Sequence, residues 1–373
     1  MKYIKLLLIS LLLLSLTSCN QDLIKKQIKE MSLDEKIGML FIIRPDALDL
    51  KYSAEDLADN SIIGSTKISE EMKDVYNKYP AGGFAIFKKN ILSEEQLISF
   101  TNQLHSLSNY YPLVCIDEEG GLVARIANHD AFNVKKFTSM QEIAESNDSN
   151  NAYILGNTIG EYLNKYGIDV DFAPVADVNT NPDNPVIGER AFGDNPIVAG
   201  EMVSKVIDGL HNNGIKSCIK HFPGHGDTST DTHLGYAQTS KTWDEMLNCE
   251  MIPFKKGIEA NTDLIMIAHI TATNVEDNVP ATLSHILLSD KLRKELGYEG
   301  VIITDSMAMG AITKEYSSAQ ACIKAIQAGV DIVLMPENYI EAFEGLKEAV
   351  KNNEISISRI EESVYRILKL KNK

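Results

Sequence analysis

The chain has 373 residues, of which 36 are basic and 52 acidic, and its formal net charge is −16. So acidic a protein is not expected to bind nucleic acid, and a basic patch is not expected to attach it to a membrane. The length allows one large domain or two small ones with a substantial core, and no low-complexity linker divides the chain.

The first residues are typical of an exported protein. A short basic segment precedes an almost wholly apolar run, residues 6–14, which is too short to be a comfortable membrane span. The run ends in Leu16-Thr17-Ser18-Cys19. This ending resembles the bacterial lipobox, in which the cysteine is lipidated and becomes the mature N-terminus. An ordinary signal peptide with an incidental cysteine is the alternative interpretation.

This pattern predicts how the chain is processed. Residues 1–18 are expected to form the signal peptide, Cys19 to carry the lipid, and residues 19–30 to form a short tether. Acyl chains on one cysteine hold a protein firmly at a membrane surface. We therefore expect an exported lipoprotein, anchored to a bacterial membrane on its extracytoplasmic side.

The remaining residues, 31–373, alternate short apolar runs with amphipathic segments. Eight runs have the nearly continuous apolar character of parallel strands that are buried on both faces. They are residues 37–43, 81–87, 113–118, 170–178, 215–222, 264–270, 301–306 and 331–335. Helices are predicted at 94–108, 152–166, 197–213, 242–260, 287–296, 318–328, 341–352 and 356–371. Ser32 and Ser93 open capping boxes, and the first of these allows the first run to be partly helical.

About eight strand–helix units in one uninterrupted segment predict a single α/β domain, a (β/α)8 TIM-type barrel, over residues 31–373. A doubly wound open sheet is the structural alternative. It is disfavoured because no GxGxxG motif follows the first predicted strand.

Polar and charged side chains cluster just after several predicted strands. The densest stretch is residues 220–227 (Lys-His-Phe-Pro-Gly-His-Gly-Asp), with Asp231 and His233 close behind it. Any one of these groups could be a structural salt bridge or a cap. Their coincidence at one barrel face predicts a pocket that recognises hydroxyl groups and holds acid, base and nucleophile candidates. The candidates are Asp117, Arg125, Arg190, Lys220, His221, Asp231, His233 and Asp305.

Residues 220–227, followed by Asp231-x-His233, resemble the signature of family 3 glycoside hydrolases of the β-N-acetylglucosaminidase type. Residues 116–121, 186–193 and 303–307 match further motifs of that family in order. One departure is Leu122, which stands where the family often has arginine. The resemblance implies a barrel enzyme that removes terminal β-linked N-acetylglucosamine, often from cell-wall fragments such as those of peptidoglycan. It implies neither a cofactor nor a catalytic metal.

The resemblance also implies roles for the candidates. Asp305 is the nucleophile of a retaining mechanism, and His233, oriented by Asp231, is the acid and base. An imidazole with a pKa near ~6.5 can donate and accept a proton close to neutral pH. Sugar hydroxyls are expected to contact Asp117, Arg125, Arg190, Lys220 and His221. For Arg125, the alternative is that it only pairs with a strand-end carboxylate. His225 and Asp227 are expected to shape the loop that follows the predicted strand at 215–222.

Other functions remain open from the sequence. The same fold can serve a β-glycosidase of different sugar specificity or a glycoside phosphorylase. A metal-dependent barrel hydrolase could use His221, His225, Asp231 and His233 as ligands, although the first predicted strand carries no HxH pair. A sugar-binding lipoprotein without catalysis is the last alternative, and it would need neither Asp305 nor His233 in the roles given above.

Overall fold

The computed structural model describes residues 21–59, 61–228 and 237–373. Eight parallel strands lie at its centre in the order β11-β9-β7-β6-β3-β2-β1-β12. The two outermost strands meet through a parallel bridge between Ile303 and Ile332, which closes the sheet into a barrel. The predicted (β/α)8 barrel is therefore confirmed.

The strands are short and buried. The barrel strands are β1 (Phe41–Ile43), β2 (Gly83–Ile86), β3 (Leu113–Ile116), β6 (Val170–Asp171), β7 (Lys216–Phe222), β9 (Leu264–Ile267), β11 (Val301–Thr304) and β12 (Val333–Leu334). Two small sheets lie beside the barrel. They are the antiparallel pair β4 (Glu118–Gly120) and β5 (Val123–Ala124), and the parallel pair β8 (Ala237–Thr239) and β10 (Ile270–Ala272).

Helices surround the barrel. They are α1 (residues 21–30), α2 (Leu33–Met39), α3 (Ala54–Ala58), α4 (Glu70–Lys78), α5 (Glu94–His105), α6 (Met140–Glu145), α7 (Ser149–Lys165), α8 (Pro196–His211), α9 (Trp243–Leu247), α10 (Met251–Glu259), α11 (Gly310–Thr313), α12 (Ser318–Ala328), α13 (Tyr339–Lys351) and α14 (Ile357–Lys371), with a π-helix at Ile286–Glu295. The last of them, α14, shows why they pack inward, because Ile360, Val364 and Ile367 fall on one buried face at helical spacing.

The helix caps agree with the sequence in one case and differ in detail in the other. Ser32 and Glu35 form the reciprocal capping box of α2, so the first apolar run is indeed partly helical. Ser93 accepts from the backbone N of Gln96 and caps α5. The Gln96 side chain, however, accepts from Leu92 N one residue earlier, so the predicted box is not reciprocal there.

Several predicted bounds need correction. Residues 170–178 form only a two-residue strand and an isolated bridge at Val175, because Pro174 has no N–H for a ladder. The predicted helix at 242–260 is two helices, α9 and α10. The part of the expected tether that the structure describes is helix α1, which buries Ile24 and Ile28 in the core. Within the described ranges, no helix is long and apolar enough to cross a membrane.

Candidate active site

A cavity of about 640 Å³ opens where the barrel strands end. Its wall contains every predicted site residue that the structure describes: Asp117, Arg125, Arg190, Lys220, His221 and Asp305. Residues separated by almost 190 positions in the chain thus share one site, as expected for the carboxyl face of a barrel. Asp231, His233 and the predicted lipidation residue Cys19 lie outside the described residues.

Asp305 follows directly after β11, and its backbone is held on the barrel. Its N–H donates to the carbonyl of Ile267 in β9 at 2.8 Å. Its carboxylate oxygen Oδ1 accepts from Ser306 N at 2.6 Å, which restricts rotation of the carboxylate. A group fixed in this way has the placement that a nucleophile needs.

An ion-pair network forms another part of the cavity wall. Lys220 Nζ lies 2.7 Å from Asp117 Oδ1 and 2.6 Å from Glu119 Oε1. Arg190 donates two parallel hydrogen bonds to the Glu119 carboxylate, at 2.9 and 2.7 Å. Glu119 thus stands between two cations, and the side chains of Lys220 and Glu119 are almost completely buried. The network presents a rigid, charged surface to the cavity.

The network stays ionised at neutral pH. Burial would raise the pKa of Glu119, but Lys220 and Arg190 lower it to about 2. Burial would likewise raise the pKa of Asp117, but Lys220 and Arg125 hold it below its usual value. Because the folded pKa of Glu119 is depressed from 4.5, its ion pairs stabilise the fold fully above pH 4.5. That stability is lost as the pH falls towards 2.

His221 is held by a carboxylate on the neighbouring strand end. Asp177 Oδ2 lies 2.7 Å from His221 Nδ1, and Asp177 also accepts from the backbone N of His225 at 2.6 Å. Asp177 is buried, and the nearby His221 and His225 keep its pKa below the usual value although burial acts in the opposite direction. A carboxylate on Nδ1 fixes the proton there and leaves Nε2 for a ligand.

The structure shows the carboxylate pairing of Arg125, and the predicted contact with a sugar stays a prediction. Its Nη2 lies 3.5 Å from Asp117 Oδ2, a long ion pair. Its Nε is buried and has no hydrogen-bond partner among the residues that the structure describes. The guanidinium also lies 5.6 Å from the ring centre of Phe87, against which Arg44 packs at 4.5 Å. Arg125 therefore pairs with a carboxylate and still has donors for a ligand.

Sequence reasoning gave no role to several residues of this site. Glu119 and Asp177 are carboxylates near predicted strand ends, and their partners Arg190 and His221 are 71 and 44 positions away. The signal for Glu119 was its place two residues after Asp117, because alternate residues of an extended segment face the same side. Arg44 and Phe87, at the ends of β1 and β2, were missed altogether, and His225 lines the cavity as well.

The loop residue Asp227 has structural partners. Its carboxylate accepts from the hydroxyls of Thr180 and Thr239 at 3.3 and 3.0 Å. The Nδ1 atom of His225 lies 2.7 Å from the Thr228 hydroxyl. Among the residues described, no group of three or more His, Cys, Asp or Glu side chains has the arrangement of a metal site.

Comparison with known proteins identifies relatives over most of the chain. A model of the family described as "Glycosyl hydrolase family 3 N terminal domain" matches residues 32–370. A β-hexosaminidase A of Pseudoalteromonas piscicida is 34% identical, covering 83% of this chain and 56% of that protein. A β-hexosaminidase of Hydrogenovibrio crunogenus is 33% identical, covering 71% of this chain and 74% of that protein.

A solved structure gives the same result. A glycoside hydrolase family 3 β-N-acetylglucosaminidase from Paenibacillus sp. superposes with a TM-score of 0.83 at 30% identity. The match covers 92% of this chain and 62% of that chain. This chain therefore spans less than two thirds of the Paenibacillus protein and of the Pseudoalteromonas relative.

Proposed function

The chain belongs to glycosyl hydrolase family 3, and on that premise we propose that it is a retaining β-N-acetylhexosaminidase. Its substrate would be a glycan with terminal β-linked N-acetylglucosamine. The observation that carries the proposal is the Asp305 carboxylate, fixed in the same cavity as the ion-pair network of Asp117, Lys220, Glu119 and Arg190. The hexosaminidase names of the relatives support the choice of sugar.

The network suits recognition of a sugar ring. Asp117 can accept hydrogen bonds from hydroxyls, while Arg125 and Lys220 can donate them. Buried charged groups that are paired with sugar hydroxyls discriminate strongly against analogues that lack those hydroxyls. Because Lys220 and Glu119 are already paired, the site needs little reorganisation when the sugar enters.

The chemistry proceeds in two steps. First, a carboxylate oxygen of Asp305 attacks the anomeric carbon, and the bond from that carbon to the leaving oxygen breaks. The leaving oxygen takes a proton from His233, a role that rests on the family resemblance. In the second step His233 takes a proton from water, and the water oxygen displaces Asp305 from the opposite face. The released sugar therefore keeps the β configuration.

We propose peptidoglycan fragments as the source of the glycan. The support is the N-terminal pattern, since a lipoprotein on the extracytoplasmic side of a bacterial membrane meets cell-wall glycans there. A distinct observation also fits, because a cavity of about 640 Å³ has room for more than one sugar ring.

Release of nitrophenol tests the function directly. The 4-nitrophenyl β-N-acetylglucosaminide should be hydrolysed with a kcat/KM on the order of 100-fold above that of the plain β-glucoside. The reverse preference would favour a β-glycosidase of different specificity. Formation of a sugar phosphate in phosphate buffer would favour the phosphorylase, and binding without turnover the non-catalytic alternative.

Membrane anchoring has its own test. In the Cys19→Ala variant, expressed in a bacterium, the protein should lose its partition into membranes while the catalytic domain stays folded and active. The lipid on Cys19 is the attachment that the sequence predicts, and with a net charge of −16 the chain is not expected to replace it by a basic patch. Membrane fractions are assayed for protein and activity. A variant that partitions as firmly as the parent contradicts the lipoprotein proposal.

A further inference from the structure

A buried carboxylate lies directly behind the cavity wall. Glu118 is fully buried, and its two oxygens accept four hydrogen bonds. Three come from consecutive backbone N–H groups, those of Arg125, Ile126 and Ala127, at 2.6, 2.9 and 2.8 Å. The fourth comes from the hydroxyl of Tyr162 in α7, at 2.8 Å. Four donors fill the acceptor capacity of a carboxylate.

The place of Glu118 in the chain explains where its carboxylate points. It stands between Asp117 and Glu119, whose side chains line the cavity. Side chains alternate along an extended segment, so the Glu118 carboxylate points away from the cavity and towards the helix layer. There it accepts hydrogen bonds from the backbone segment that follows β5 and starts at Arg125. The hairpin of β4 and β5 is thus tied across its base by one side chain.

Burial of an ionised Glu118 carboxylate destabilises the folded protein unless the charge is well solvated by hydrogen bonds. Burial raises the pKa of Glu118 against the effect of its hydrogen bonds. Its own N–H donates to the equally buried Asp171 at 3.0 Å, and burial and the Glu118 charge raise the pKa of Asp171 well above its usual value. A buried charge without good partners destabilises a protein. A close-fitting cradle of four donors offsets that cost, and it orders the segment that supplies them.

The ordered backbone of residues 125–127 carries one residue of the cavity wall, Arg125. Its guanidinium makes a long ion pair to Asp117 and lies 5.6 Å from the ring centre of Phe87. Neither contact fixes the guanidinium closely, so its place beside Asp117 is set by its backbone. That backbone is the one that Glu118 binds most closely, at 2.6 Å.

We infer that Glu118 is a positioning residue, which holds the backbone of residues 125–127 and so places the Arg125 guanidinium in the sugar site. Glu118 touches no substrate and acts through Arg125. The inference rests on the proposed function, in which Arg125 contacts the sugar.

The test is a double-mutant cycle between Glu118→Gln and Arg125→Met. Glutamine keeps the size of the side chain but turns an NH₂ group towards backbone donors. We expect Glu118→Gln to lower kcat/KM for the 4-nitrophenyl N-acetylglucosaminide roughly tenfold, mainly by raising KM. In the Arg125→Met background the same change should cost less than about twofold, because the group that it positions is gone. Full additivity in the two backgrounds overturns the inference.

Two further variants keep the test decisive. Tyr162→Phe removes one donor from the same carboxylate, so it should give a smaller effect in the same direction and serves if Glu118→Gln fails to fold. Asp169→Asn is the matched control, since Asp169 also accepts from a backbone N–H, that of Val114 at 2.8 Å, but at the opposite end of β6. It should lower thermal stability without changing KM, and a KM change equal to that of Glu118→Gln contradicts a specific role.

Failure of the proposed function gives a different result. A parent protein that does not hydrolyse the N-acetylglucosaminide contradicts the function. The cycle is then measured on binding of N-acetylglucosamine by calorimetry, where the same loss of coupling is expected. An active parent with additive variants contradicts the positioning role alone.

Discussion

The kcat of the Asp305→Gly variant is expected to fall by about 10⁴–10⁶-fold. Losses of this size are typical when the nucleophile of a two-step, covalent mechanism is removed. The reason is that Asp305 is the group that forms the covalent glycosyl-enzyme in the proposed mechanism. The fixed placement of the carboxylate, with Oδ1 bound to Ser306 N at 2.6 Å, is lost together with its charge. The measurement is kcat on the 4-nitrophenyl N-acetylglucosaminide, with folding checked by circular dichroism.

Azide provides a positive readout for the same variant. The small anion can occupy the space that the carboxylate leaves and attack the anomeric carbon from that face. The product should be the α-glycosyl azide, with partial recovery of nitrophenol release. In the parent, a fluorinated sugar that slows the second step should label Asp305, and NMR of the anomeric proton should show the β product first. The α product first would mean an inverting path, which needs a gap of roughly 6.5–9.5 Å between two carboxyl groups.

Glu337→Gln is the matched control for Asp305. Glu337 is an exposed carboxylate on the wall of the same cavity, so its removal changes the local charge equally. We expect turnover within about twofold of the parent, because Glu337 is exposed and has no role in the proposed two-step chemistry. A loss comparable to that of Asp305→Gly would show that both variants act through the charge of the cavity.

The strands could be located from the sequence because each is a short apolar run that a two-sided barrel buries. Their ends could not, as at Asp171, where only two residues of a nine-residue apolar run form the strand because Pro174 interrupts the ladder. Helix α1 was missed although Ile24 and Ile28 stand at helical spacing. The place of this short segment directly after the lipobox favours a tether, whereas the spacing of its two isoleucines is the signal for a helix that packs on the core.

The same limit applies to the site. Asp117, Lys220 and Asp305 could be chosen because charged side chains at the carboxyl ends of buried strands are unusual and meet at one face. The pairing within the network could not be chosen. The sequence does not say which carboxylate pairs with Lys220. In the structure Lys220 Nζ lies 2.7 Å from Asp117 Oδ1 and 2.6 Å from Glu119 Oε1, so it bridges both. Such partnerships depend on the relative height of neighbouring strands, which spacing in the sequence does not report.

The second large effect is expected at His233, whose role comes from the family resemblance. His233→Gly should lower kcat/KM by about 10²–10⁴-fold for substrates with poor leaving groups, because these leave only when protonated. Substrates with good leaving groups, such as the 2,4-dinitrophenyl glycoside, should lose far less in this step. With them the second step becomes limiting, since water then lacks its base, and a burst of phenol should precede slow turnover. The measurement is kcat/KM against the leaving-group pKa, which should show a steep slope in the variant and a shallow one in the parent.

The comparison with Asp227 separates loss of the proposed acid from a disturbance of the residues that precede it in the sequence. Asp227 accepts hydrogen bonds from Thr180 and Thr239, so Asp227→Asn perturbs the backbone near Asp227 without removing the proposed proton donor. Its losses should be similar for all leaving groups. Azide should restore turnover of the dinitrophenyl substrate by His233→Gly and yield the β-glycosyl azide, because Asp305, the proposed nucleophile, is intact and azide only replaces the activated water. Equal losses across the leaving-group series in His233→Gly would remove His233 from the acid role, and an α-glycosyl azide would contradict the covalent intermediate itself.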